Sequence, residues 1–400
     1  MTQSAAASDA RPVEHYDILV MGAGPAGAAA ALTAARQGMS VALIDRRRFP
    51  RDKLCGGGIT GRCAAALERL LGHPLPGHLA EERGTFEFHA HGASLGTVDG
   101  VPPIHLTTRR AFDTYLQSTA IAAGADDRSG QKPAGIDPGT CRVTLDSGAT
   151  LEGRILIGAD GVASTTARSL FGRAYDPHQV GFAMEVEAPP EQDTPDRVRI
   201  DFGAAEWGYG WHFPKSGSAT IGVGGLHGRN PEMRAALETY LRGLGVDPSM
   251  QKVKGAFLPF GAFRRIPGHG RVLLAGDAAG LVDPITGEGL AHAIDSGRMA
   301  AEAATAALAE DRPETALPLY RKSLGPIHGA LRHARALRLV IYAPPLKAGF
   351  IRAFRDSRTL RHDYLRMLGG QREYADIMAA LLRRLPRHLS RSLLVPDRAH

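Results

Sequence analysis

Hydrophobic and polar positions follow different rhythms in successive parts of the chain. Near the N-terminus Tyr16-Asp-Ile-Leu-Val-Met-Gly22 is a short apolar run, an alanine-rich helical stretch follows as far as Gly38, and Val41-Ala-Leu-Ile-Asp45 is a second apolar run. Short apolar runs on either side of a helical segment predict a βαβ unit with strands buried on both faces. Further on, the period shortens to two in Thr85–Ala90, Gly181–Glu187, Val198–Phe202, Gly208–Phe213 and Ala219–Gly224, which predicts an antiparallel sheet. Two more apolar runs, Arg154-Ile-Leu-Ile-Gly-Ala-Asp160-Gly161 and Arg271-Val-Leu-Leu-Ala-Gly276-Asp277, each read as a strand running into a turn of small residues. From Gly287 to the C-terminus the pattern is helical.

The turn after the first strand carries candidate chemistry. Gly22, Gly24 and Gly27 have the spacing of a dinucleotide-binding turn: Gly22 permits the tight turn, Gly24 lets a pyrophosphate approach the backbone, and Gly27 allows close helix packing. The helix N-terminus then faces negative charge. Asp45, 18 residues after Gly27, ends the next strand where a carboxylate can accept hydrogen bonds from ribose hydroxyls. The expected fold is therefore α/β: a Rossmann-like domain with an inserted antiparallel β-sheet domain and a C-terminal helical region. The glycine turn alone does not separate NAD from FAD. Gly222-Val-Gly224-Gly-Leu-His-Gly228 is also glycine-rich, but its spacing is wrong and Asn230-Pro231 interrupts the entry to the next helix, so a second nucleotide domain is not expected.

Composition narrows the class. The chain has 400 residues, 44% hydrophobic and 22% charged, which suits a globular enzyme. Cys55, Cys63 and Cys141 follow no metal-ligand spacing and leave one thiol over, so neither a disulfide framework nor a metal site is expected. The N-terminus lacks the apolar core of a signal peptide, and no apolar run reaches the length of about 18 residues that suggests a membrane span. These features predict a cytoplasmic protein. The net charge of +7 resides in the tail, where Asp311–His400 holds 18 Lys/Arg against 7 Asp/Glu. With its apolar stretches, that tail suits either a solvated face or peripheral contact with an anionic bilayer, and no aromatic-interleaved basic motif points to nucleic acid.

Two motifs carry the functional reading. In Glu206-Trp-Gly-Tyr209-Gly-Trp211-His212-Phe213-Pro214 the alternation puts Tyr209, Trp211 and Phe213 on one face of a strand and His212 on the other, and Gly222 and Gly224 mark a neighbouring strand approached closely by something large. The other motif is Pro50-Arg-Asp-Lys-Leu-Cys55-Gly56-Gly57-Gly58, a solitary thiol before a bare backbone. Together with the Gly-Asp segment at 276–277 and Arg109 before Phe112-Asp113, these motifs resemble the geranylgeranyl reductase family of FAD-dependent oxidoreductases, over residues 15–310. The resemblance implies FAD held by Gly22, Gly24, Ala26, Gly27, Asp45, Arg46, Cys55, Gly56, Gly57, Arg109, Asp160, Gly161, Gly276, Asp277, Gly287, Gly289 and Leu290. The Gly287–Leu290 helix start would meet the flavin ring, its free N–H groups favouring the negative charge of the reduced form.

The same resemblance implies a reductase that saturates carbon–carbon double bonds of a polyprenyl chain, with an apolar substrate bound by Tyr209, Trp211, Phe213, Pro214, Gly222 and Gly224. Cys55, close to the flavin and at the substrate cavity, is the candidate proton donor or redox reporter, with His212 and His292 as lesser candidates. Electrons would come from NAD(P)H visiting transiently or from another donor. The implied organisation is a disordered tail at 1–14, FAD-binding segments at 15–80, 107–175 and 263–310, substrate-domain segments at 81–106 and 176–262, and a helical region at 311–400. A flavin monooxygenase or halogenase on the same scaffold, including one that modifies a partner protein, is the alternative, since halogenases carry a comparable Trp-x-Trp-x-Ile-Pro strand. An electron carrier without small-molecule turnover is the third reading.

Overall fold

In a computed structural model, which describes residues 12–189 and 196–379, five parallel strands form the centre of an eight-stranded first sheet, with the short strand Gly268–His269 antiparallel at one edge. Their order is Val272–Leu274, Thr150–Gly158, Val13–Met21, Val41–Asp45, Asp126–Ser129. Their apolar runs are continuous because both faces are covered: Ile18 to Val20, Ala42 to Ile44 and Ile155 to Ile157 are fully buried. The first strand starts at Val13, so Val13 and Glu14 belong to the sheet and not to the tail expected at 1–14, whose residues 1–11 lie outside the described residues. An antiparallel hairpin, Pro133–Asp137 and Arg142–Leu145, continues the sheet beyond Thr150–Gly158.

Small residues set how closely the helices sit on this sheet. The helix Pro25–Arg36 buries Ala28 to Ala31 between the sheet and the long helix Leu290–Ala309. The contact is so close that a Cβ on Gly297 would lie 2.0 Å from the Ala26 carbonyl oxygen. Both helix starts are thereby held beside the end of the first strand.

The second sheet has the order Lys254–Leu258, Gly181–Ala188, Ser218–Leu226, Gly208–Lys215, Val198–Asp201, Phe86–Ala90, Ala93–Val98. It departs from the wholly antiparallel expectation at one pair, Val198–Asp201 with Phe86–Ala90, which is parallel. The two strands belong to chain segments separated by a long excursion through the first sheet, and parallel neighbours need such a crossover. The strands at 93–98 and 254–258 escape the period-two reading because one is polar in Ala93-Ser94 and Gly96-Thr97 and the other begins Lys254-Gly255. A small sheet of Gly58–Ile59, Ile104–Leu106 and Glu81–Arg83 links the two large ones.

The C-terminal helices Gly325–Tyr342, Pro344–Asp356 and Arg358–Leu368 cover the second sheet. Phe354 meets Phe88 and Phe202 edge-on, with centroids 5.0 and 5.3 Å apart, and Tyr364 meets the same rings at 5.7 and 5.8 Å. Edge-to-face pairs of this kind add to the burial of the rings themselves. The Tyr342 hydroxyl donates to the Ile285 carbonyl at 3.0 Å, which ties the tail to the loop before the long helix. Phe354→Ala is expected to lower stability by about 3–5 kcal/mol, read from the urea unfolding midpoint at unchanged slope; a loss below about 1 kcal/mol would contradict this packing.

Candidate active site

One cleft of ≈ 820 Å³ runs from the glycine turn of the first sheet to the aromatic strand of the second. At its first end Gly22 has φ +95° and a Cβ there would lie 2.5 Å from the Ala159 carbonyl oxygen, so only glycine fits the turn. A Cβ on Gly24 would approach only the Arg51 guanidinium, at 3.6 Å, which leaves the backbone open to the cleft. No side chain caps the helix Pro25–Arg36, so its first N–H groups remain available. Asp45 is buried and already accepts from the Ala23 N–H at 2.8 Å and the Arg47 N–H at 2.9 Å, which fixes the turn against the second strand. Arg46, Arg47, Arg51, Lys53 and Lys132 also line this end. Of these only Arg46 is anticipated by the sequence, although the run Arg46-Arg47-Arg48 and the pair Arg51 and Lys53 stand openly in it. Such a cluster of cations beside free helix N–H groups suits phosphate.

The middle of the cleft is walled by the loop Cys55–Gly58 and by Gly287 to Leu290. The bareness of the Cys55 loop is required by the protein's own packing. A Cβ on Gly56 would lie 2.8 Å from the Phe213 ring and 3.2 Å from Trp211 Nε1, and one on Gly57 would lie 2.0 Å from the Thr107 carbonyl oxygen. The glycines admit the protein's own aromatic wall and crossing backbone; Gly56 and Gly57 nonetheless also line the cleft. Gly222 is similar: a Cβ there would meet the Trp211 ring at 2.3 Å, so the large group that approaches this strand is Trp211, and Gly222 does not line the cleft whereas Gly224 does.

Two acids flank the loop, Glu185 buried and Glu288 half-buried at the cleft wall. Glu185, on the strand Gly181–Ala188, accepts from the Cys55 N–H at 3.0 Å through Oε1, while Oε2 is buried with no hydrogen-bond partner. Burial pushes its carboxyl up to about 7, against the opposing pull of the Cys55 amide. Sequence reasoning passes over Glu185, yet the alternation of its strand puts it in phase with the buried Gly181 and Ala183. Glu288 accepts from the Thr60 hydroxyl at 2.6 Å, and burial pushes it to about 7 as well.

Arg109 is buried and donates through Nε and Nη2 to the Asp113 carboxylate at 2.6 and 2.8 Å. Arg51 approaches the same carboxylate at 3.2 Å. Burial works against the Arg109 charge, but Asp113 and then the nearby Cys55 outweigh it and raise its pKa. Cys55 thus lines the cleft beside a buried cation, and its sulfur accepts from the Gly57 N–H at 3.5 Å.

At the far end Tyr209, Trp211 and Phe213 line the cleft with Phe86, Ile104 and Ile200. The Tyr209 hydroxyl donates to the Thr286 carbonyl, locking the aromatic strand to the Gly287 turn. Tyr364 and Leu368, from a tail in which the sequence shows no motif, close this end. Four residues expected in the site stand behind its surface: Gly27, whose missing Cβ makes room for the Gly22 carbonyl; Gly276, which donates its N–H to Ser296; Pro214, whose carbonyl accepts from Arg83; and Gly222. Asp160, Gly161 and Asp277 line the cleft, but the Asp160 carboxylate is engaged by the Thr165 and Thr166 N–H groups at 2.7 and 3.0 Å and so starts the helix Thr165–Phe171. His212 and His292 are buried and do not line the cleft; burial also lowers His292 to about 4, so neither is placed to deliver a proton there.

Residues 17–115 match the model of the FAD dependent oxidoreductase family. The menaquinone reductase of Mycobacterium tuberculosis is 34% identical over 313 residues, covering 72% of this chain and 76% of that one. The geranylgeranyl diphosphate reductase of Rhodobacter capsulatus is 31% identical over 341 residues, covering 79% of this chain and 81% of its own. The chain belongs to the geranylgeranyl reductase family of FAD-dependent oxidoreductases. Its fold is shared with the geranylgeranyl bacteriochlorophyll reductase-like protein of Thermoplasma acidophilum, at a TM-score of 0.75 and 20% identity over 86% of this chain and 93% of that one.

FAD is the cofactor of this oxidoreductase family, and the cleft fits it: the open Gly24 backbone, the uncapped helix start and the cationic rim suit its diphosphate.

The buried carboxyl of Glu185 makes a pH test. Its folded pKa of about 7 lies above the ordinary value of 4.5, so the folded protein binds the extra proton between those values and stability falls as pH rises through that window. Glu185→Gln removes this loss: relative to wild type it is expected to gain about 2–3 kcal/mol between pH 5 and pH 8, measured by urea unfolding at each pH. A difference that does not change with pH would show that Glu185 is ionised in the folded protein.

Proposed function

We propose that this oxidoreductase is a reductase that saturates carbon–carbon double bonds in an isoprenoid chain. The observation that carries the proposal is that Cys55 and the Tyr209–Trp211–Phe213 wall line one cleft with the dinucleotide turn. Two relatives are named as reductases of menaquinone and of geranylgeranyl diphosphate, and both names denote isoprenoid compounds. An isolated alkene is neither polarised nor acidic, so a site that hydrogenates it needs a hydride source, a proton held at a defined atom, and little water.

Reduced FAD, itself recharged by a transient donor such as NAD(P)H, supplies the hydride when bound. The chain supplies the rest. The aromatic wall and Phe86, Ile104 and Ile200 exclude water and align the hydrocarbon. Cys55 gives a proton from Sγ to the second alkene carbon, and the buried Arg109 guanidinium stabilises the thiolate left behind. One hydride and one proton add across each double bond, and the sulfur regains its proton from solvent through the open side of the cleft.

Cys55→Ser is expected to lower the rate of double-bond reduction by about 10²-fold or more, with FAD content unchanged. Incubated with geranylgeranyl diphosphate, the wild-type holoenzyme should yield products heavier by two hydrogens per reduced bond in mass spectrometry. A product heavier by one oxygen or one halogen would overturn the proposal in favour of oxygen chemistry on the same scaffold.

A further inference from the structure

The helices Gly325–Tyr342 and Pro344–Asp356 carry an outer face that their packing does not explain. Their inner face is complete: Leu331, Ala334, Leu337 and Ile341 recur every three or four residues and are buried, with Phe354 from the second helix. Yet Leu339, Val340 and Leu346 are 49%, 37% and 47% exposed. They gather where the two helices meet at Ala343, beside the exposed Pro344 and Pro345. Scattered exposed leucines are ordinary, but three at one corner make a patch.

The charge that the chain from Gly325 to Arg355 brings to that corner is of one sign. From Gly325 to Arg355 the chain carries Arg332, Arg335, Arg338, Lys347, Arg352 and Arg355, and no aspartate or glutamate. Arg332 and Arg335 precede Leu339 by seven and four residues, which puts them on its helix face. Arg338 lies over the Trp207 ring and Lys347 pairs with Glu206 at 3.6 Å, but among the described residues Arg332, Arg335 and Arg352 form no ion pair. Apolar tips among unneutralised cations match an anionic bilayer, where the tips enter the acyl boundary and the cations meet headgroups. No helix among the described residues is long and apolar enough to cross a membrane, so contact of this kind is peripheral.

We propose that this helical corner docks the protein on an anionic lipid bilayer. The next helix, Arg358–Leu368, supplies Tyr364 and Leu368 to the far wall of the cleft, so docking brings the apolar end of the cleft near the lipid. The surface stands on its own exposure and charge and does not depend on the chemistry proposed for the cleft.

The test is flotation of the FAD-loaded full chain with vesicles of phosphatidylcholine alone and of phosphatidylcholine mixed with phosphatidylglycerol. Wild type is expected to float with the mixed vesicles and much less with phosphatidylcholine alone, and its binding should weaken as salt is raised. Leu339→Ser, Val340→Ser and Leu346→Ser combined should cut the partition coefficient by about tenfold or more, as should Arg332→Glu with Arg335→Glu, which leaves the packing side untouched. Turnover of a detergent-dispersed substrate should stay at the wild-type level in both variants. Equal flotation with both vesicle types, no flotation, or unchanged binding by the charge variant would each overturn the proposal. So would a wild-type oligomer, seen by light scattering, that either variant dissociates, since the corner would then be a contact between copies.

Discussion

The close passage of the loop Cys55–Gly58 between the two sheets is the constraint on which the rest of the architecture depends. The loop has Thr107 on one side and the rings of Trp211 and Phe213 on the other, and a single added carbon at Gly56 or Gly57 would collide with one of them. Packed interiors do not absorb such collisions cheaply. The loop is also held by polar contacts, since Glu185 of the second sheet takes the Cys55 N–H and Thr107 donates its N–H to the Gly57 carbonyl. Because the loop follows the strand Val41–Asp45 of the first sheet and its ring partners stand on the second, this contact fixes Cys55, the aromatic wall and the dinucleotide turn relative to one another.

That view changes the meaning of the glycine motifs. Read as sequence, three glycines after a cysteine and a Gly-x-Gly on a strand both suggest backbone left bare for a ligand. In the structure much of that space is taken by Trp211, which lies over Gly222 and beside Gly56. The motifs at 55–57, 209–213 and 222–224 are therefore one packing unit, in which an indole on one strand requires glycine on two other segments. Their joint appearance in a sequence follows from that unit.

Much of the fold was legible because its elements differ in period. The buried parallel strands are continuous apolar runs, and five strands of the second sheet alternate cleanly, so each stands out against its neighbours. The polar strand at 93–98 and the glycine-bearing strand at 254–258 have no such contrast. The cleft was legible where backbone geometry demands glycine, as at Gly22, or where aromatics share a strand face, as at Tyr209 and Trp211. It was illegible where function arises from long-range juxtaposition. Nothing in the sequence near Glu185 announces that an amide 130 residues away will donate to it. Tyr364 and Leu368 likewise reach the cleft only because a tail without motifs folds back across the substrate sheet.

Burial of charge explains why these contacts come as a set. Arg109, Asp113 and Arg51 place two cations on one carboxylate beside Cys55, and Glu185 and Glu288 stand nearby with their carboxyls pushed toward neutrality by burial. A cleft open to water would need none of this, because solvent would hold the charges apart. In a site shielded from water each ionised group requires a partner or gives up its charge. Arg109 keeps its charge through Asp113, whereas Glu185, with one oxygen unpartnered, is driven toward its neutral form. The site therefore holds two arginines on one shared carboxylate beside Cys55, with protonatable acids around them, an arrangement suited to holding and passing on a proton.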